Sequence, residues 1–158
     1  IRDSYNNMGV AYSNWKKPDL AGESLRKAIR LNPNYAEAFN NLGNSQKELS
    51  DYEDAIESYE NALKIDPSYI DALCNLGIVL GVLERHSEAE ETYKKALALD
   101  PSRKQTLYLF GSLLTKSKKL EEAKQKFNSL LVMDPNYAEA HNGLGLVNVE
   151  FKNLDDIL

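Results

Sequence analysis

Cysteine, histidine and tryptophan are nearly absent: one Cys, two His and one Trp in 158 residues. A lone cysteine excludes an internal disulfide framework, and with two distant histidines it falls short of the four ligands of a structural zinc site. Packing must therefore hold the fold. No run approaches the ~18 consecutive apolar residues of a membrane span. The most apolar stretch, 73–83, is short and contains Asn75. Basic charge is also short, with 19 Lys and Arg against 24 Asp and Glu, which argues against a grip on nucleic acid through phosphate neutralisation. The sequence thus assigns no nucleic acid and no membrane, and a protein partner is the better expectation. Catalytic motifs are missing as well: there is no P-loop, G-x-S-x-G, H-E-x-x-H or C-x-x-C. Gly143-Leu-Gly145 imitates half a dinucleotide motif but lacks the third glycine. No catalytic, cofactor or metal residue is nominated, and the segment reads as non-enzymatic. The acid pairs Asp155-Asp156 and Glu90-Glu91 read as solvated helix faces.

The few prolines and glycines carry the signal. Four of the five prolines, Pro33, Pro67, Pro101 and Pro135, are 34 residues apart. Gly9, Gly43, Gly77, Gly111 and Gly145 keep the same step, as do Ala21, Ala55, Ala89 and Ala123. A bulky series, Leu25, Tyr59, Tyr93 and Phe127, runs in register with Ala28, Ala62, Ala96 and Leu130. Counting back from each proline gives units 2–35, 36–69, 70–103 and 104–137, then a partial fifth over 138–158.

Each window reads as two helices. In the second, Ala38, Leu42, Leu49, Ala55, Ile56, Tyr59, Ala62 and Leu63 recur at three- and four-residue steps around a break at Ser50-Asp51. Asp51 is expected to cap the second helix there, Ser87 with Glu90 to form a capping box, and Pro18 to sit where its missing N–H is harmless. The residue after each periodic proline, Asn34, Ser68, Ser102 or Asn136, reads as the N-cap of the next first helix, with an acceptor three residues on. Period-two alternation is absent, so the expected class is all-α. A glycine within a helix costs about 1 kcal/mol relative to alanine, so five in register point to close helix approach. Tyr5, Phe39, Leu73, Leu107 and His141 read as a further packing series.

A 34-residue helix–turn–helix with Leu-Gly, Ala, an aromatic, Ala and Pro in order resembles the tetratricopeptide repeat. The second window, Phe39-Asn-Asn-Leu-Gly43 through Ala55, Tyr59, Ala62 and Pro67, matches nearly every signature site. Leu130 and Ile157 depart from the pattern, standing where a small residue and an alanine are expected. The resemblance implies a right-handed superhelical solenoid of antiparallel helix pairs whose first helices line a concave groove that takes a protein or peptide ligand.

Groove positions carried over from the family fall on an amide-rich set in the early units, including Asn7, Asn41, Asn44 and Asn75, and on apolar residues later: Ile78, Val82, Tyr108, Leu109, Leu146 and Val149. Asn7, Asn41 and Asn75 keep the 34-residue step, and an asparagine both donates and accepts, so a row of them suits peptide backbone. The row is similar to the groove of the repeat arm in O-linked N-acetylglucosamine transferases. The competing reading is that these residues only serve packing. The carboxylate clamp of chaperone-tail binders needs basic groove sites in successive units. Here only Lys47 and Lys116 are basic, so that clamp is absent. Cys74 falls on the groove side as a small unreactive residue, and the cluster Lys116, Lys118, Lys119, Lys124 and Lys126 reads as a solvated turn.

The chain opens at Ile1 directly on a first helix and ends with Leu154, Ile157 and Leu158 inside an expected second helix, which reads as part of a longer chain. Its uncapped ends are a candidate surface for self-association. Absence of an N-x-[ST] acceptor and of a visible signal peptide gives an intracellular, cytoplasmic expectation. Two functions fit: a scaffold or adaptor that binds a peptide or helical segment in its groove, or the substrate-recognition arm of a larger enzyme such as a glycosyltransferase.

Overall fold

The computed structural model describes residues 1–155, with side chains to Asn153. Nine α-helices lie among the described residues: α1 (Arg2–Asn14), α2 (Pro18–Leu31), α3 (Ala36–Glu48), α4 (Tyr52–Ile65), α5 (Ile70–Val82), α6 (His86–Leu99), α7 (Lys104–Lys116), α8 (Leu120–Met133) and α9 (Ala138–Asp155). No strand occurs among them. The chain divides into two compact units, Ile1–Leu83 with α1 to α5 and Glu84–Leu158 with α6 to α9. In the first, α1 pairs with α2 and α3 with α4, while α2 also packs on α3 and α4 on α5. In the second, α7 pairs with α8, α6 lies against α7, and α9 packs on both α7 and α8.

The in-register residues make these contacts. Ala21, Ala28, Ala55, Ala62, Ala89, Ala96 and Ala123 are fully buried, and so, within a few per cent, are Leu25, Tyr59, Tyr93 and Phe127. The glycines opposite Leu25, Tyr59 and Phe127 are sterically required: a Cβ at Gly9 would stand 2.5 Å from Leu25 Cγ, one at Gly43 2.6 Å from Tyr59 Cε1, and one at Gly111 2.8 Å from Phe127 Cε1. Close packing of that ring on the glycine offsets the helix penalty. Gly145 breaks the series, because an added Cβ there meets nothing within 4 Å. Leu130, in place of the small residue, is fully buried.

The turns differ from the expected caps. Pro18 does open α2 at its first position. Asp51 stands at the N-cap of α4, yet its side chain makes no capping bond. Ser87 lies inside α6, whose N-cap is Arg85, so the Ser87–Glu90 box does not form. Between successive repeats the residue before each proline does the work. The side chains of Asn32, Asp66, Asp100 and Asp134 accept the backbone N–H of Asn34, Ser68, Ser102 and Asn136 at 3.0–3.3 Å. This Asx turn uses a short polar side chain to mimic a backbone turn, and the proline within it cannot continue the helix. Helices α3 and α5 then start from Tyr35 and Tyr69.

The turn after each of the helices α1, α3, α5 and α7 contains a left-handed residue: Lys16, Ser50, Glu84 and Lys118 have φ of 56°, 65°, 58° and 60°. The next member of this series, Lys152, stays helical, because α9 runs unbroken to Asp155 where the repeat would turn. Leu154 lies within that helix with its side chain outside the description, and Ile157 and Leu158 lie outside the described residues. His141 is exposed rather than packed, with Nε2 2.8 Å from the Pro135 carbonyl oxygen.

Candidate functional site

Each unit carries a cleft on its first helices. The unit-1 cleft, about 310 Å³, is lined by Val10, Ser13 and Asn14 of α1, Asn41, Asn44, Lys47 and Glu48 of α3, and Asn75 of α5. Its asparagines are already committed on one side. Asn41 Nδ2 donates to Asn6 Oδ1 at 3.0 Å, and Asn75 Nδ2 donates to Asn40 Oδ1 at 3.0 Å. Asn6 and Asn40 are buried, and Asn6 Nδ2 donates in turn to Glu37 Oε1 at 2.9 Å. Asn44 Oδ1 accepts the hydroxyl of Tyr59 at 2.8 Å. Burial pushes that phenol well above its ordinary pKa, with Glu48 adding to the effect, so it keeps its hydrogen to donate. Burial also pulls the Lys47 ammonium below the usual lysine value, opposed in part by Glu48.

Asn41 and Asn75 therefore do join neighbouring repeats, as the packing reading expects, while each still lines the cleft. Each nitrogen gives one of its two hydrogens to that bond, and the side-chain oxygens take no hydrogen bond among the described residues. Asn7 is exposed and is not among the lining residues, and neither are Ile78 or the half-exposed Val82.

The unit-2 cleft has nearly the same volume, about 320 Å³, and opposite chemistry. It is formed by Tyr108, Ser112, Thr115 and Lys116 of α7, Phe127 of α8, and Glu139, Asn142, Gly143 and Leu146 of α9. Phe127 is buried to 1%, and a Cβ on Gly143 would stand 2.5 Å from its Cζ, so the missing side chain at 143 is what seats the ring under the cleft. Tyr108 packs on Phe127 and on Tyr137, each with ring centroids 6.3 Å apart. Ser112 and Thr115 turn their hydroxyls back to the carbonyls of Tyr108 and Gly111. Leu146 is 63% exposed at the edge. Of the apolar residues nominated from sequence, Tyr108 and Leu146 meet here. Leu109 is half-buried and Val149 exposed, both outside the lining set. Phe127, assigned to the core alone, was missed as a floor. Its position opposite two glycines, Gly111 and Gly143, was the available signal.

Several charges expected to be solvated are paired. Glu90 is buried and accepts two bonds from Lys119, at 2.7 and 2.9 Å, tying α6 to the start of α8. Lys119 is consequently held above its usual pKa by Glu90. Lys118 pairs with Glu150, and Lys126 sits 5.2 Å from the Phe110 ring centroid. Cys74 is buried. Among the described residues no group of three or more side chains is placed to hold a metal, and no helix is long and apolar enough to cross a membrane.

Paired helices recurring every 34 residues, with clefts along their first helices, define a helical-repeat protein of the kind that holds other proteins. The chain belongs to the tetratricopeptide repeat family: models of this repeat match residues 3–35, 24–57, 43–81, 70–103 and 108–156. No curated protein sequence matches it significantly. Among solved structures it is similar to YrrB, a TPR protein with an unusual peptide-binding site, at 26% identity and TM-score 0.77, covering 94% of this chain and 77% of that one. It is also similar to PilF of Pseudomonas aeruginosa, at 26% identity and TM-score 0.85, with 97% and 70% covered. MamA of Desulfovibrio magneticus RS-1 shares the fold, at 23% identity and TM-score 0.86, with 96% and 85% covered. The chain is thus a protein-interaction module of a fold that is typically non-catalytic.

Proposed function

We propose that the chain binds an extended peptide segment of a partner protein and that an apolar side chain of that segment enters the unit-2 cleft. One observation carries this reading: Leu146 stands 63% exposed beside a cleft floored by the buried ring of Phe127 and walled by Tyr108. An aliphatic or aromatic side chain seated there would remove apolar surface from water at roughly 25 cal/mol per Å². Asn142, with Lys116 and Glu139 at the rim, supplies polar groups for the flanking backbone. YrrB, at 26% identity, has a peptide-binding site, which supports the class of ligand. A peptide suits this cleft better than a small molecule because the exposed Lys116, Glu139 and Asn142 offer polar groups to backbone on either side of an apolar side chain.

Selection of a displayed random-peptide library on the chain, followed by fluorescence anisotropy of an enriched peptide, tests this directly. Tyr108→Ala with Leu146→Ala is expected to weaken binding by ~2 kcal/mol or more. Enriched peptides should carry one large apolar residue. Affinity unchanged in the double variant overturns the assignment.

A further inference from the structure

Each first helix carries a stripe of side chains at alternating steps of four and three residues, a spacing that keeps them on one face. In α3, α5 and α7 the middle residue of that stripe, Leu42, Leu76 or Phe110, is at most 8% exposed, and the preceding second helix packs against each of these helices. Leu42 clusters with Ala21 and Leu25 of α2, and Phe110 stacks on Tyr93 of α6. In α1 the same stripe runs Ile1, Tyr5, Met8, Tyr12 and Trp15, and it stays open. Ile1 is 89% exposed, Met8 44% and Trp15 67%. The surface beside it departs in the same direction. Leu20, in the first turn of α2 at the Trp15 end of α1, is 39% exposed where the later repeats have Asp54, Glu88 and Glu122. The stripe is also held in place. Tyr12 rests on the Ala21–Leu25 cluster and meets Trp15 edge to face at 6.0 Å, while Lys27 lies 5.8 Å from the Tyr5 ring centroid.

We infer that this face is a dimerisation surface whose occupant is α1 of a second copy of the chain, packed antiparallel with Met8 at the two-fold axis. The shape of the seat calls for a helix, because a helix fills the equivalent seat on α3, α5 and α7. Self-complementarity then selects the occupant. Read from either end the stripe is apolar and aromatic, so a two-fold sets Ile1 against Trp15, Tyr5 against Tyr12 and Met8 against its own copy. No charged side chain lies on the line, so no charge is buried by the pairing. Charge at the ends fixes the direction. A parallel pair would bring Lys16 and Lys17 beside their own copies, whereas an antiparallel pair holds them apart by the length of α1, about 20 Å, well beyond the screening length of ~8 Å. Covering Ile1, Met8, Trp15 and Leu20 in both copies removes on the order of 1,000 Å² from water, at the lower end of specific interfaces, so the dimer is weak. The other side of α1 gives Val10, Ser13 and Asn14 to the unit-1 cleft, which the pairing leaves open.

Trp15 is the only tryptophan in the chain, so its emission reports on this face alone. Raising the concentration from about 1 μM to 1 mM should shift that emission to the blue while sedimentation equilibrium shows the mass moving from one chain towards two. Met8→Lys is expected to weaken association about tenfold or more. Its helicity by circular dichroism should match the parent, because the Met8 side chain already reaches solvent, and Val149→Lys should leave association unchanged. Geometry is read by oxidation. Met8→Cys should form a disulfide-linked dimer and Trp15→Cys should not, since only the residue at the two-fold meets its own copy; Cys74 is buried and does not compete. A single-chain mass at every concentration overturns the inference, and if Trp15 emission then shifts on zwitterionic vesicles the face belongs to lipid. Association that survives Met8→Lys, or cross-linking of Trp15→Cys as readily as Met8→Cys, overturns it as well.

Discussion

The two clefts occupy the same register of the repeat and nearly the same volume, yet one is lined by amides and the other by aromatic and aliphatic carbon. The difference lies mainly at three positions, one of which has Asn44 in unit 1 and Ser112 and Leu146 in unit 2. At a second, unit 1 has Asn6 and Asn40 where unit 2 has Tyr108 and Asn142. At the third, unit 1 has Asn41 and Asn75 where unit 2 has Leu109 and Gly143. An asparagine at the third position reaches back to its neighbour and places a polar row along the helices. Removing the side chain altogether, as at Gly143, lets Phe127 rise to the surface of the cleft instead. A constant backbone thus specifies where a cleft lies, and a few side chains per repeat decide what it holds.

The contrast can be broken most severely at its apolar end. Phe127→Ala should cost about 3–5 kcal/mol, since the ring is buried and contacts both Gly111 and Gly143. Urea denaturation would read this, and an unchanged midpoint would deny the ring its role as a floor. In unit 1, Asn6→Ala leaves the Asn41 NH₂ without its acceptor in a part-buried site. A loss of about 1–3 kcal/mol is expected by the same method. Ala55→Leu, overpacking a fully buried site, belongs to the same range at about 1–3 kcal/mol.

Gly145 sharpens the comparison by reversing sign. Gly145→Ala, in open space within α9, should stabilise by roughly 0.5–1 kcal/mol, whereas Gly43→Ala should destabilise against Tyr59. Equal effects at the two sites would mean that the glycine series has one function throughout. The smallest effect is electrostatic and confined to unit 2. Lys104 beside Asp134 holds that carboxyl below its ordinary value. A depressed carboxyl contributes stability at pH above the unfolded value, and the contribution fades as pH falls through the lowered one. Lys104→Gln should therefore lower stability slightly in the neutral region and leave the strongly acid end unaltered, so that the acid side of the profile flattens, as thermal melts across pH would record.

The period, the helix pairs and the packed alanine and aromatic series were legible because each is a local pattern repeated with little change. What escaped depends on partners remote in sequence. Asn41 finds its acceptor 35 residues away and Glu90 its cation 29 residues away, and neither distance leaves a trace in a helical pattern. The turns escaped for another reason. Lys16, Ser50, Glu84 and Lys118 adopt a conformation that favours glycine, and nothing in their identities announces it. The caps were misassigned by attending to the residue after proline, when the Asx residue before it makes the bond.

The amide chain of unit 1 also has a mechanical meaning. In a linear array, stability is approximately a sum of each repeat's own contribution and the couplings between nearest neighbours. The bonds Asn6–Asn41 and Asn40–Asn75 are such couplings, buried at one end and directional. Opening α1 and α2 alone would strip Asn41 of its acceptor, so the first repeats are tied into one cooperative block, and fraying from the Ile1 end has to break a polar bond at each step. The corresponding positions of unit 2, filled by Tyr108, Leu109, Asn142 and Gly143, have no side chain pair of this kind, and the coupling there falls to the packing of Phe127 between two glycines.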